Sequence, residues 1–145
     1  MEADMAKAAI ARRRSILRAN AVFLAVAATG GLVTDIRGGF FGQGPVARLL
    51  DGAPGGAIGF FEAHGLALIF AVLLWGAESS RRWHATAAAI HALLGGANLA
   101  FWPVFVAMDA LALGYVTTAL HGLFFVLQLT AAAGVPPEPA ALAAA

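Results

Sequence analysis

Cysteine is absent from the 145 residues, which excludes disulfide scaffolds, cysteine–zinc sites, iron–sulfur clusters, covalently attached c-type haem and thiol nucleophiles. Charge is nearly as scarce: Lys, Arg, Asp and Glu make up 12% of the chain against 61% hydrophobic residues. A soluble domain carries about a quarter charged and about half apolar residues, because its surface must be wetted. So few polar side chains cannot cover a globule, and the composition places the chain in a membrane. A net charge of +1 from only nine basic residues is no nucleic-acid footprint, so no nucleic-acid partner is expected.

What the chain does have is long apolar runs. A spanning helix needs about 20 predominantly apolar residues, and four runs qualify, at about residues 19–34, 58–77, 85–107 and 110–133. All eight acidic residues lie outside these runs or close to an end. The expected fold is an all-α integral membrane four-helix bundle. Residues 1–18 form a basic cytoplasmic segment, 19–133 the transmembrane domain and 134–145 a flexible tail stopped by Pro136 and Pro137. Little chain remains outside the spans, so any chemistry belongs between the helices or at their mouths.

Lys7, Arg12, Arg13, Arg14 and Arg18 precede the first run, and Arg81 and Arg82 separate the second from the third; only Arg37 and Arg48 fall on the other side. Seven of nine basic residues on one face predict both termini in the cytoplasm, with the protein in the cell (inner) membrane and lipids as its neighbours. The run Arg13-Arg14-Ser15-Ile16-Leu17-Arg18 also has the look of a twin-arginine export signal, with Ala25-Val26-Ala27 as a small-residue cleavage site. The membrane helices that follow favour the simpler reading, a basic segment holding the first helix end inside. In the outer loop, Pro45 to Gly52 has proline at a helix start and glycine just past its end, which predicts a short interfacial helix.

Ionisable groups inside spans are rare and commonly serve function. The third run carries His84, His91 and Asn98 at intervals of seven, and the fourth carries Gly114, His121 and Gln128 at the same interval, with Thr117 and Thr118 one turn earlier. That spacing draws a nearly straight polar stripe along each helix. Beside the stripes run ladders of small residues, Ala88, Ala92, Gly96 and Ala100 on one helix and Gly114, Thr118 and Gly122 on the other, suited to close packing. The second run contributes His64, with Glu62 at its entrance; Asp35 and Asp109 complete an acidic outer rim. A rise of about 1.5 Å per residue puts His64, Asn98, Thr117, Thr118 and His121 in one layer of the outer half. His91 and Gln128 lie deeper, and His84 stands at the cytoplasmic mouth. The first helix, poor in polar residues apart from Asn20 and Thr29, is expected to be scaffold or an oligomer face; a homodimer fits the small-residue ladders.

Such a staircase of imidazoles is no three-histidine metal site, whose ligands must all come within roughly 2 Å of one ion, so no metal is expected. Three functions fit these residues. The first is a pocket lined by His64, Asn98, His121, His91, Gln128, Glu62, Thr117 and Thr118 that binds a small ligand or conducts protons or a polar solute. The second is an electron-transfer subunit binding haem b through two histidines, or a quinone. The third is a membrane enzyme acting on a lipid or isoprenoid with a histidine as acid or base. Interhelical hydrogen bonds that merely hold helices in register compete with each of them, at around 0.6 kcal/mol apiece. Finally, Pro103 removes the donor for the Leu99 carbonyl and predicts a kink in the outer part of the third span.

Overall fold

A long run without proline sets the first element. No proline occurs before Pro45, and the computed structural model, which describes residues 1–51 and 53–135, has one helix, α1, over Glu2–Phe41. It ends where Gly42 turns left-handed (φ 61) and the N–H of Gln43 closes on the Arg37 carbonyl at 2.9 Å. Five more helices follow: α2 (Pro45–Leu50), α3 (Gly56–Gly76), α4 (Arg81–Ala100), α5 (Trp102–Ala107) and α6 (Leu111–Ala133). Every regular element among the described residues is a helix. The expected helix stop at Gly52 and the tail from Pro136 onward lie outside the described residues.

Three helices, α1, α3 and α6, are long and apolar enough to cross a membrane. α4 has 20 residues but opens on two arginines and carries two histidines and an asparagine, which lowers its apolar character. Forty residues give α1 a length of about 60 Å, twice a ~30 Å hydrocarbon core. Its first turns, with Met1, Met5 and Ile10 exposed, stand clear of the bundle.

Two boundaries differ from the sequence reading. The first helix does not stop at Thr34: α1 continues through Asp35, which is buried at 4% exposure and paired with a histidine of α3. The proline in the third run breaks the helix rather than bending it. α4 ends at Ala100, Phe101 leaves helical geometry (φ −106, ψ 30), and α5 restarts with Pro103 in its first turn, where no donor is needed. A short helix is present where one was expected, as α2. It docks by seating Val46 against Gly38 of α1, where an added Cβ would come within 2.7 Å of the Val46 Cβ.

α1 packs chiefly on α3, and α4 on α6; the two pairs meet along α1. At one end Arg13 Nη1 donates to the Gly134 carbonyl at 3.0 Å, and the Arg18 guanidinium lies 5.5 Å over the Trp75 ring. The basic segment, the end of α3, the start of α4 and the end of α6 therefore gather there. At the opposite end Arg48 Nη2 donates to the Met108 carbonyl at 2.7 Å, tying α2 to the turn after α5. The core is small: Leu17, Ala21 and Leu24 of α1 meet Ala71 and Leu74 of α3, Ala77 just beyond it and Ala87 of α4.

The distribution of polarity is inverted relative to a water-soluble fold. Among the fully buried side chains are His84, His91, Gln128 and Asn20, while Ile69, Val72, Leu93, Val116, Leu123 and Val126 face outward. Such an exterior is at home in hydrocarbon, where no apolar residue gains by hiding and every polar group must find a partner. The small-residue ladders serve close packing inside the chain only in part: Ala88 and Gly114 are buried, Gly114 against the Phe105 ring, while Ala92, Gly96, Ala100 and Gly122 are exposed.

Candidate functional site

The two seven-residue stripes face each other across α4 and α6, and α1 closes them with a residue the sequence reading left aside. Asn20 is completely buried. Its Oδ1 accepts from Gln128 Nε2 at 2.8 Å, and its Nδ2 lies 2.7 Å from His91 Nε2. Gln128 Oε1 is 2.5 Å from His84 Nδ1, and His84 Nε2 is 3.1 Å from the Ser79 hydroxyl. At the far end, His91 Nδ1 and His121 Nδ1 are 2.9 Å apart. The result is an unbroken string of side chains, Ser79–His84–Gln128–Asn20–His91–His121, running from the basic-end mouth into the bundle.

The partners limit the protons to two concerted arrangements, of which the first follows from the amide orientations as they stand. A carboxamide donates only through nitrogen and accepts only through oxygen. Gln128 Oε1 therefore takes a hydrogen from His84 Nδ1–H, leaving His84 Nε2 to accept from the Ser79 hydroxyl. In the same way Asn20 Nδ2 donates to His91 Nε2, so His91 Nδ1–H donates to His121 Nδ1 and His121 keeps its own hydrogen on Nε2. Every bond then points the same way along the string and each imidazole carries one N–H. Turning both carboxamides over and moving the imidazole hydrogens would reverse the whole chain and still satisfy it.

Aromatic rings enclose the inner end. Phe124 stacks on His91 with centroids 5.3 Å apart, and Phe23 stacks on His91 at 5.9 Å while meeting His121 edge-on at 5.4 Å. Gly95 permits the approach of α6, since a Cβ there would sit 3.1 Å from the His121 Cβ. Further along, Asn98 Nδ2 donates to the hydroxyls of Thr117 and Thr118, both at 3.2 Å.

The single layer expected for His64, Asn98, Thr117, Thr118 and His121 is divided in the structure. Asn98 joins the two threonines; His121 joins His91, which the residue count had placed deeper; His64 stands apart on α3, bonded to Asp35 of α1 through Nδ1 and Oδ2 at 2.6 Å. Glu62 is exposed and takes no hydrogen bond or ion pair among the described residues. α1 is more than the scaffold expected of it, because it supplies both Asn20 and Asp35. The available signal was the spacing of Leu17, Asn20, Leu24, Ala28, Gly31, Asp35 and Gly38, steps of three and four that trace one helix face past the charge at Asp35.

No family model, curated protein or solved structure matches this chain. The site must be read from its own geometry.

That geometry is filled rather than hollow. The polar groups of the string bond to one another, and two open grooves lie away from it, one between α1 and α3 beside Trp75 and one at the turn from α3 to α4 beside Trp83. Among the described residues no three His, Asp or Glu side chains converge as metal ligands. Nor do the paired histidines fit a haem. Axial imidazoles approach iron from opposite faces of the macrocycle, at about 2 Å each on the scale of metal–imidazole bonds. Here the two rings bond directly at 2.9 Å with phenylalanines packed against them, which leaves no gap for a porphyrin.

Proposed function

We propose that this chain is a four-span membrane protein, with both termini on the cytoplasmic side of the cell membrane, that carries protons along its histidine string. α1, α3, α4 with α5, and α6 form the four spans. The orientation is supported by the seven basic residues gathered at one end, by the positive-inside rule. The observation that carries the functional reading is the continuous hydrogen-bonded string from Ser79 to His121, in which three of six members are imidazoles. An imidazole accepts a proton on one nitrogen and releases one from the other near neutral pH, which few buried side chains do. A solute pocket would leave those nitrogens free for the solute; here all but His121 Nε2 are bonded to other side chains of the string.

The string also sets its own limit. A carboxamide cannot pass a proton straight through, because its donor and acceptor are different atoms with no exchangeable lone pair on nitrogen. The Asn20–Gln128 contact therefore separates the mouth histidine from the inner pair. The His91–His121 pair acts as a holding site, and transfer across the two amides requires them to swing aside or admit a water.

The test is proton flux into vesicles containing the purified full chain. A potassium diffusion potential drives protons inward, and a trapped pH dye reports them. Flux above protein-free vesicles is expected, with return to that baseline in His91→Leu. Wild-type flux equal to that of protein-free vesicles overturns the reading.

A further inference from the structure

We infer that Asp35 and His64 form a second proton-binding site, loaded from the end of the molecule opposite the basic segment and separated from Asn20 of the string by an apolar stretch of α1. The purpose of this site rests on the proton-carrying reading; its chemistry rests on its own geometry.

The pair is built rather than incidental. Gly31 lies on α1 one turn before Asp35, and a Cβ there would overlap the His64 ring. Only glycine lets the imidazole lie flat enough on α1 to reach the carboxylate, which it does at 2.6 Å. The two partners are unequally covered: the Asp35 side chain is 3% exposed and that of His64 is 36% exposed. Asp35 Oδ1 is buried without any hydrogen-bond partner, so half of the carboxylate's accepting capacity is idle in a place where a bare negative charge is costly. Among the described residues His64 Nε2 makes no hydrogen bond either. The pair thus has a sealed end, the carboxylate, and an open end, the imidazole.

This asymmetry defines the reaction. A proton from water adds to the lone pair of Nε2 while the Nδ1 hydrogen passes along the 2.6 Å contact to Asp35 Oδ2, giving a neutral imidazole bonded to a protonated carboxyl. Uptake converts a pair of net charge −1 into a neutral one, so it removes the uncompensated charge that burial penalises. Release through Nε2 reverses the step, and no other reactant is needed.

No neighbouring charge substitutes for the proton. The charged groups at this end are Arg37 on α1, Arg48 and Asp51 at α2, Glu62 on α3 and Asp109 before α6. Among the described residues none pairs with Asp35 or His64, and Arg48 is bonded to the Met108 carbonyl. Along α1, Asp35 lies about 22 Å beyond Asn20, and the buried residues between them are Ala21, Leu24 and Ala28. No hydrogen-bonding side chain bridges that interval on the buried face.

A lipophilic carbodiimide tests the site, because it modifies only carboxyl groups that hold a proton and can reach intramembrane ones. The full chain in lipid nanodiscs is labelled between about pH 8 and about pH 5, the range in which imidazoles change charge, and the modified peptide is identified by mass. Labelling of Asp35 that rises severalfold as pH falls is expected. In His64→Gln, which keeps an amide donor facing Oδ2, labelling becomes independent of pH. An Asp35 that stays unlabelled at every pH in both proteins, with helicity retained, overturns the site. In the vesicle assay, wild-type flux preserved in His64→Gln overturns the site's part in transport and leaves the string standing. A wild type without flux whose Asp35 labels as described sinks the transport reading and keeps the site.

Discussion

Replacing Asn20 with leucine isolates the contribution of α1 to the string. The side chains are similar in size, so the change removes polarity with little change of volume. Two hydrogen bonds are lost, at 2.8 Å to Gln128 and 2.7 Å to His91. Interhelical bonds in membranes average about 0.6 kcal/mol, which sets a floor near ~1 kcal/mol for the pair. Gln128 Nε2 is then left without an acceptor in a fully buried position, and an unsatisfied buried donor costs about 1–3 kcal/mol. The expected loss is therefore about 3 kcal/mol, roughly a hundredfold in the folding equilibrium. Reversible unfolding in bicelles, followed by far-UV circular dichroism, measures it, with Val22→Leu on the exposed side of α1 as control. Adding Gln128→Leu supplies the second test. Once Gln128 is gone its orphaned donor is gone too, so the double variant costs about 1 kcal/mol or more less than the sum of the singles. An Asn20→Leu protein within about 0.5 kcal/mol of wild type, or strict additivity with Gln128→Leu, would refute the string as a connected unit.

Three further outcomes follow from particular contacts. Gly31→Ala drives a methyl into the His64 ring and lowers stability by about 1–3 kcal/mol; His64→Ala in the same background recovers most of it by thermal melting. Gly38→Ala places a Cβ within 2.9 Å of the Ala47 backbone nitrogen, so α2 lifts from α1 and its amides exchange hydrogen faster while those of α6 are unchanged. Gln128→Glu replaces a carboxamide by a group whose two oxygens can each accept and, when protonated, donate. Proton flux in the vesicle assay rises above wild type, whereas an unchanged flux would show that the Gln128 carboxamide does not limit transfer.

Much of this arrangement is readable in the sequence, for identifiable reasons. The intervals of seven between His84, His91 and Asn98, and between Gly114, His121 and Gln128, survive folding because helix geometry converts spacing directly into direction. The short helix α2 is legible in the same way, from Pro45 at its start. Position along the membrane normal was harder. A boundary drawn at the first charge ended the first span at Thr34, yet Asp35 continues the helix because its partner, His64, lies 29 residues further on, a distance no local pattern reports. Asn20 reads as an isolated polar residue for the opposite reason: no second amide or imidazole follows it on α1, since its partners are on α4 and α6. The ladder of Ala92, Gly96 and Ala100 misled because periodicity identifies a face without saying which neighbour, if any, covers it.

One consequence of the uninterrupted first helix concerns mechanics. Asn20 and Asp35 belong to the same stiff shaft, and at 3.6 residues per turn they differ by about 60° in azimuth. That offset is why one engages α4 and α6 while the other engages α3. A shaft without a hinge transmits torsion, so rotating it to free the amide also drags the carboxylate off its imidazole. On α1 the buried residues between Asn20 and Asp35 are all apolar, yet the two polar side chains share one axle, and neither can be re-registered alone.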